Sequence, residues 1–115
     1  MLLEAITEHL TPAEANLVPS FVNALKSKQG RSKAVAIEVM QGAIISLEAY
    51  QVLKIIHHIR IKGLVPMLVH DEKGYWVAQS RAEVEEAVKR IRSIEDMCWK
   101  ERNSLQQQME VSWLK

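Results

Sequence analysis

Three histidines lie in one third of the chain, the adjacent pair His57-His58 and, further on, His70. Clustered imidazoles are a first place to look for a metal. Successive residues on a helix point about 100° apart, so His57 and His58 are badly placed to share one ion. The tetrahedral set that zinc requires also lacks a second cysteine or a close carboxylate. No metal site is expected. Cys98 is the single cysteine and would need a base and an orienting group to act as a nucleophile. It sits in a helix-type apolar pattern, which predicts a buried structural thiol. The carboxylates of "EVEEAVKR" alternate with cations, as on a solvated helix face. No nucleophile elbow, phosphate loop, dinucleotide fingerprint or metal-binding helix motif occurs. The expectation is a protein with no catalytic residues, no cofactor and no small-molecule substrate.

Charge is more informative. The net charge is +1, but residues 24–63 hold seven cations against Glu38 and Glu48. From Arg81 onward seven cations meet seven acids. A cationic middle between balanced or acidic flanks is a distribution that the whole-chain sum hides. With 48% hydrophobic and 25% charged residues, wholesale disorder is not expected. A lone cysteine excludes an intramolecular disulfide and suits a reducing compartment. The acidic start, MLLEAITEHL, is unlike a signal peptide, and no apolar run reaches the roughly 18 residues of a membrane span. The location expected is cytoplasmic, without a membrane partner.

These residues must be positioned by short elements. Thr11-Pro12-Ala13-Glu14 has the form of a capping box with proline at the first helical position. Pro19 predicts a kink or restart near Val18. The helix then runs on through Phe21 and Leu25 and stops at Lys28-Gln29-Gly30. Lys33-Ala34-Val35 reads as a strand stub and Ala36–Gln41 as a short helix stopped by Gly42. Ser46 is the expected cap of a longer helix to Lys62, ended by Gly63. Its apolar set is Ala49, Val52, Leu53, Ile55, Ile56 and Ile59. Glu48, Gln51, Lys54, His58 and Lys62 fall on the opposite face, with Tyr50 and His57 at its margins. Leu64–Val69 and Tyr75–Ala78 are strand-length runs closed by Lys73-Gly74, which predicts a hairpin with positive φ at glycine. One of Tyr75 and Trp76 should be core; the other is either an exposed wing aromatic or packs on the last helix, with packing the favoured expectation. Ser80 caps that helix, with Glu83 at the capping-box position. It carries no Gly or Pro from Arg81 to about Met109. Its apolar seam from Val84 to Met109 is interrupted by Glu95 and Arg102.

The stretches "KAVAIEVMQGAI", "VLKIIHHIRIKGLVPMLV" and "KGYWVAQSRAEVEEAVKRIRS" resemble small winged helix-turn-helix proteins of bacteria and their prophages. The resemblance implies a mainly α fold with a small antiparallel sheet. Residues 1–79 would form the winged helix-turn-helix core, and residues 80–115 a long C-terminal helix that packs on it or dimerises. It implies binding of double-stranded DNA in a regulatory or replication setting. Ser46–Lys62 would lie in the major groove and the hairpin Leu64–Ala78 would be the wing. On this reading Ser46 and Glu48 open the recognition helix. Gln51 could read an adenine edge, with Tyr50 or His58 adding base or sugar contacts. Lys33, Lys54, Lys62 and Lys73 would contact phosphates. The family commonly has arginine around the position of Leu53, and the wing tip here holds Asp71 and Glu72. The alternative is a protein-protein interaction module using the winged helix and the C-terminal helix. A homodimer to which that helix contributes is expected; in the interaction-module alternative the helix dimerises or docks.

Overall fold

The computed structural model describes residues 9–42 and 47–113. It is mainly helical, with a two-stranded antiparallel sheet. Helix α1 spans Pro12–Lys26, a 3₁₀ turn Arg31–Lys33, α2 Ile37–Gly42 and α3 Ala49–Lys62. Strands β1, Leu68–Asp71, and β2, Gly74–Val77, precede the long helix α4, Arg81–Trp113. No described helix is long and apolar enough to cross a membrane. The chain divides into two compact units at Val84/Glu85, within α4.

Helix α1 starts as its sequence requires. Thr11 Oγ1 accepts from the Glu14 amide at 3.2 Å, and Glu14 Oε1 accepts from the Thr11 amide at 2.9 Å. The expected restart near Val18 does not occur, and α1 continues through Pro19. Proline removes one donor there, while Phe21 and Leu25, buried beyond it, hold the helix to the core. The strand stub shrinks to Val35, since Lys33 belongs to the 3₁₀ turn. Residues 43–46, including the expected cap Ser46, lie outside the described residues. Helix α3 has Glu48 as its N-cap and ends at Gly63, whose φ of 65° is left-handed. Amides of Gly63 and Leu64 return to the Arg60 and Ile59 carbonyls at 3.2 and 3.0 Å.

The core of the first unit is aliphatic. Leu25 of α1 meets Val52, Ile55, Ile56 and Ile59 of α3, with Met40, Val65 and Leu68 around them. Each fully buried Leu or Ile side chain contributes about 1.5–3 kcal/mol, so α3 is anchored mainly by its isoleucines. The first expected strand is shorter than its apolar run. Pro66 has no amide to donate and Met67 takes a φ of 61°, so pairing begins only at Leu68.

The hairpin pairs Leu68 with Val77 and Asp71 with Gly74, leaving Glu72-Lys73 as a two-residue loop. The far edge of β2 is also occupied. Val35 and Tyr75 exchange two amide–carbonyl bonds of 2.9 Å, and Val77 bonds the backbone of Lys28 and Gly30. Gly74, at φ 132°, lies where a Cβ would strike the Val35 carbonyl and come within 2.8 Å of the Ala36 nitrogen. Both Tyr75 and Trp76 are buried. Tyr75 stacks on His70 with centroids 4.8 Å apart. The Trp76 indole donates to Glu83 Oε2 at 2.6 Å, fastening the first turn of α4 to the hairpin. Ser80 Oγ accepts from the Glu83 amide at 3.3 Å, as expected of the cap.

Beyond Val84 the helix continues as the second unit. Ile91, Ile94, Met97, Leu105 and Met109 are exposed along it. Cys98 is exposed too, which corrects its expected burial: its helical apolar pattern finds no covering element among the described residues.

Candidate nucleic-acid interface

Lys54 and Gln51 are not on the outer face of α3. Both turn toward α1 and meet at Glu14. Lys54 Nζ lies 2.8 Å from Glu14 Oε1, and Gln51 Nε2 donates to Glu14 Oε2 at 3.1 Å. Gln51 Oε1 in turn accepts from the Glu48 amide at 2.9 Å. Lys54 is 7% exposed and Glu14 1%. Burial alone pushes the Glu14 carboxyl up. The Lys54 hydrogen bond, the Thr11 amide, Gln51 and the ammonium charge outweigh it, so the carboxyl sits below its ordinary value. The expectation that Gln51 and Lys54 stand open on the polar face is thereby corrected. Helical spacing places them together; it does not say that a carboxylate waits across the interface with α1.

The outward strip of α3 is different. Tyr50 and Ile61 are exposed, and Leu53 and His57 are half-buried between them. His58 is half-buried in an open depression of about 440 Å³ lined by His9, Leu10, Ala15, Val18 and Pro19. Glu48 is exposed at the helix start and Lys62 at its end.

The acids of the hairpin tip are paired with one arginine. Arg31 Nε meets Asp71 Oδ2 at 2.7 Å and its Nη2 meets Glu72 Oε1 at 3.3 Å. The hydrogen bond and charge of Asp71, with Glu72 behind it, raise the already high Arg31 pKa. Asp71 Oδ1 also accepts from the Lys73 amide at 2.8 Å, fixing the loop. Lys33 and Lys73 remain exposed on these joined elements. Arg60 contributes inward: its Nη1 donates to His70 Nδ1 at 3.2 Å. A guanidinium has no acceptor, so that ring nitrogen must accept. Burial holds Arg60 below its ordinary value and the Tyr75 phenol above its own.

Of the nine sequence-chosen residues, Lys33, Glu48, Tyr50, Lys62 and Lys73 are exposed. Gln51 and Lys54 are engaged internally, His58 borders the depression, and Ser46 lies outside the described residues. Two consequential residues carry no such signal in the sequence. Glu14 shows there only as a cap, and Arg31 finds its partner forty residues away. Among the described residues no group of His, Cys, Asp or Glu could hold a metal ion. Comparison with protein-family models found no match, and comparisons with curated proteins and with solved structures found none either.

Proposed function

We propose that the first unit is a winged helix-turn-helix module that binds double-stranded DNA. The observation that carries this reading is the basic edge at the hairpin. Arg31 pairs with both acids of the tip, and Arg31 with the exposed Lys33 and Lys73 outnumbers Asp71 and Glu72 by one charge on the hairpin and the 3₁₀ turn joined to it. The order α1, Val35 stub, α2, α3, hairpin supports the same reading, as does the pairing of the stub with β2. Here the hairpin and Lys62 hold phosphates, while Tyr50 and His57 on the outward strip of α3 approach the groove. Lys54 and Gln51 support α3 from behind. The regulatory or replication setting implied by the sequence resemblance fits such a module.

A second reading has its own support. The strip Tyr50, Leu53, His57 and Ile61 carries no Lys or Arg and is largely apolar. Such a strip suits a protein partner better than a phosphate backbone. Anisotropy titrations of a labelled random duplex at several salt concentrations separate the two. With Lys33, Lys62 and Lys73 on phosphates, log affinity should fall against log salt with a slope of about −3 per protomer. Lys73→Ala should make the slope shallower by about one unit. Lys54→Met should leave it unchanged. No retention of duplex at low salt by folded protein would leave the protein-interaction reading in place.

A further inference from the structure

We propose that α4 pairs with α4 of a second copy of this chain, parallel and in register, through Ile91, Ile94, Cys98, Leu105, Met109 and Trp113. These positions follow a 3-4-4 spacing, an eleven-residue repeat in which Arg102 is the one polar member. At about 3.67 residues per turn the strip runs almost straight along the helix. All six side chains are exposed in the single chain, Leu105 at 66% and Trp113 at 79%.

Charge selects the occupant and its direction. From Arg81 to Arg102 the helix carries six cations and six acids, whereas Glu110 is the only charge from Asn103 to Trp113. An antiparallel copy would lay the charged half against an uncharged one. A parallel copy sets charged half on charged half. Arg90 and Glu95 flank the Ile91 and Ile94 layers with the five-residue offset that pairs them between parallel strands, once on each side. Two first units then leave the paired helices at the same end. The pairing does not rest on DNA binding.

The experiment is sedimentation equilibrium of the full chain over a concentration series, without DNA, joined to cross-linking of Cys98 by oxidised glutathione. A dimer is expected, with Cys98 opposite its counterpart and captured as a disulfide-linked dimer. Ile94→Asp should give a monomer that no longer cross-links, with unchanged helical content. Arg102→Leu should tighten association about tenfold or more, since it fills the polar gap in the strip. A monomer at every concentration would overturn the proposal. So would a dimer whose Cys98 fails to cross-link, or one indifferent to Ile94→Asp.

Discussion

At Glu14 one carboxylate does two jobs that differ greatly in energy. Its bond to the Thr11 amide is a helix cap, worth about 1 kcal/mol. Its pairing with Lys54 compensates a buried charge, and removing one partner of such a pair typically costs 3–5 kcal/mol. Lys54→Met should therefore destabilise by about that amount in urea denaturation at neutral pH, while Glu14→Leu/Lys54→Met should recover most of it. The pH dependence follows from the sign of the shift. The carboxyl is held below its ordinary 4.5, so its stabilisation is complete above that value. It is lost as pH falls through the lower folded-state value. Denaturation between neutral and strongly acidic pH should show this loss in the parent, and Glu14→Gln should be flatter across the same window.

Two glycines separate conformational need from space at the level of elements. Gly63 ends α3 at φ 65° with nothing near its missing side chain, so Gly63→Ala should cost about 1–2 kcal/mol from backbone strain alone. Gly74 has positive φ and also abuts the backbone of Val35 and Ala36. Relieving that overlap would break the paired bonds between Val35 and Tyr75. Gly74→Ala should cost clearly more than Gly63→Ala, by roughly 2 kcal/mol or more, with thermal melts of the two variants as the measure. Equal losses would mean that the stub does not close on the hairpin. The contrast also shows what hairpin chemistry leaves unsaid. Lys73-Gly74 announces a turn by its residue types, but the third segment pressing on Gly74 arrives from a distant part of the chain.

Across the whole molecule, the distribution of charge matters more than its sum. Arg31 and Lys54 belong to the basic middle of the sequence, yet one is paired with the hairpin tip and the other with Glu14. The proposed salt slope is accordingly about −3 per protomer, about one unit shallower than if Lys54 also reached phosphate. A parallel dimer would present two such units and about double the slope on a duplex with two sites. Measuring that slope for the parent and for Ile94→Asp connects the two proposals, because loss of pairing should halve it while each unit keeps its own contacts.

Element types and several ends were determined locally. The capping box at Thr11 and Glu14, the stop at Gly63, the glycine-closed hairpin and the uninterrupted α4 each depend on neighbours within about four residues. Such signals are legible because backbone dihedrals and cap bonds are short-range. Four of the six expected apolar positions of α3, Val52, Ile55, Ile56 and Ile59, were legible too, since helical period aligns them, whereas Ala49 is exposed and Leu53 half-buried on the outward strip. The polar side of α3 was not: period cannot tell a solvent-facing side from one turned to a buried carboxylate. Glu14 and Lys54 are far apart in the chain, and only the packing of α1 on α3 makes them partners. Packing also decided that Arg31 meets the acids of the hairpin tip and that Val35 borders Gly74. Contacts between distant segments depend on where the compact core brings them, which no local spacing encodes.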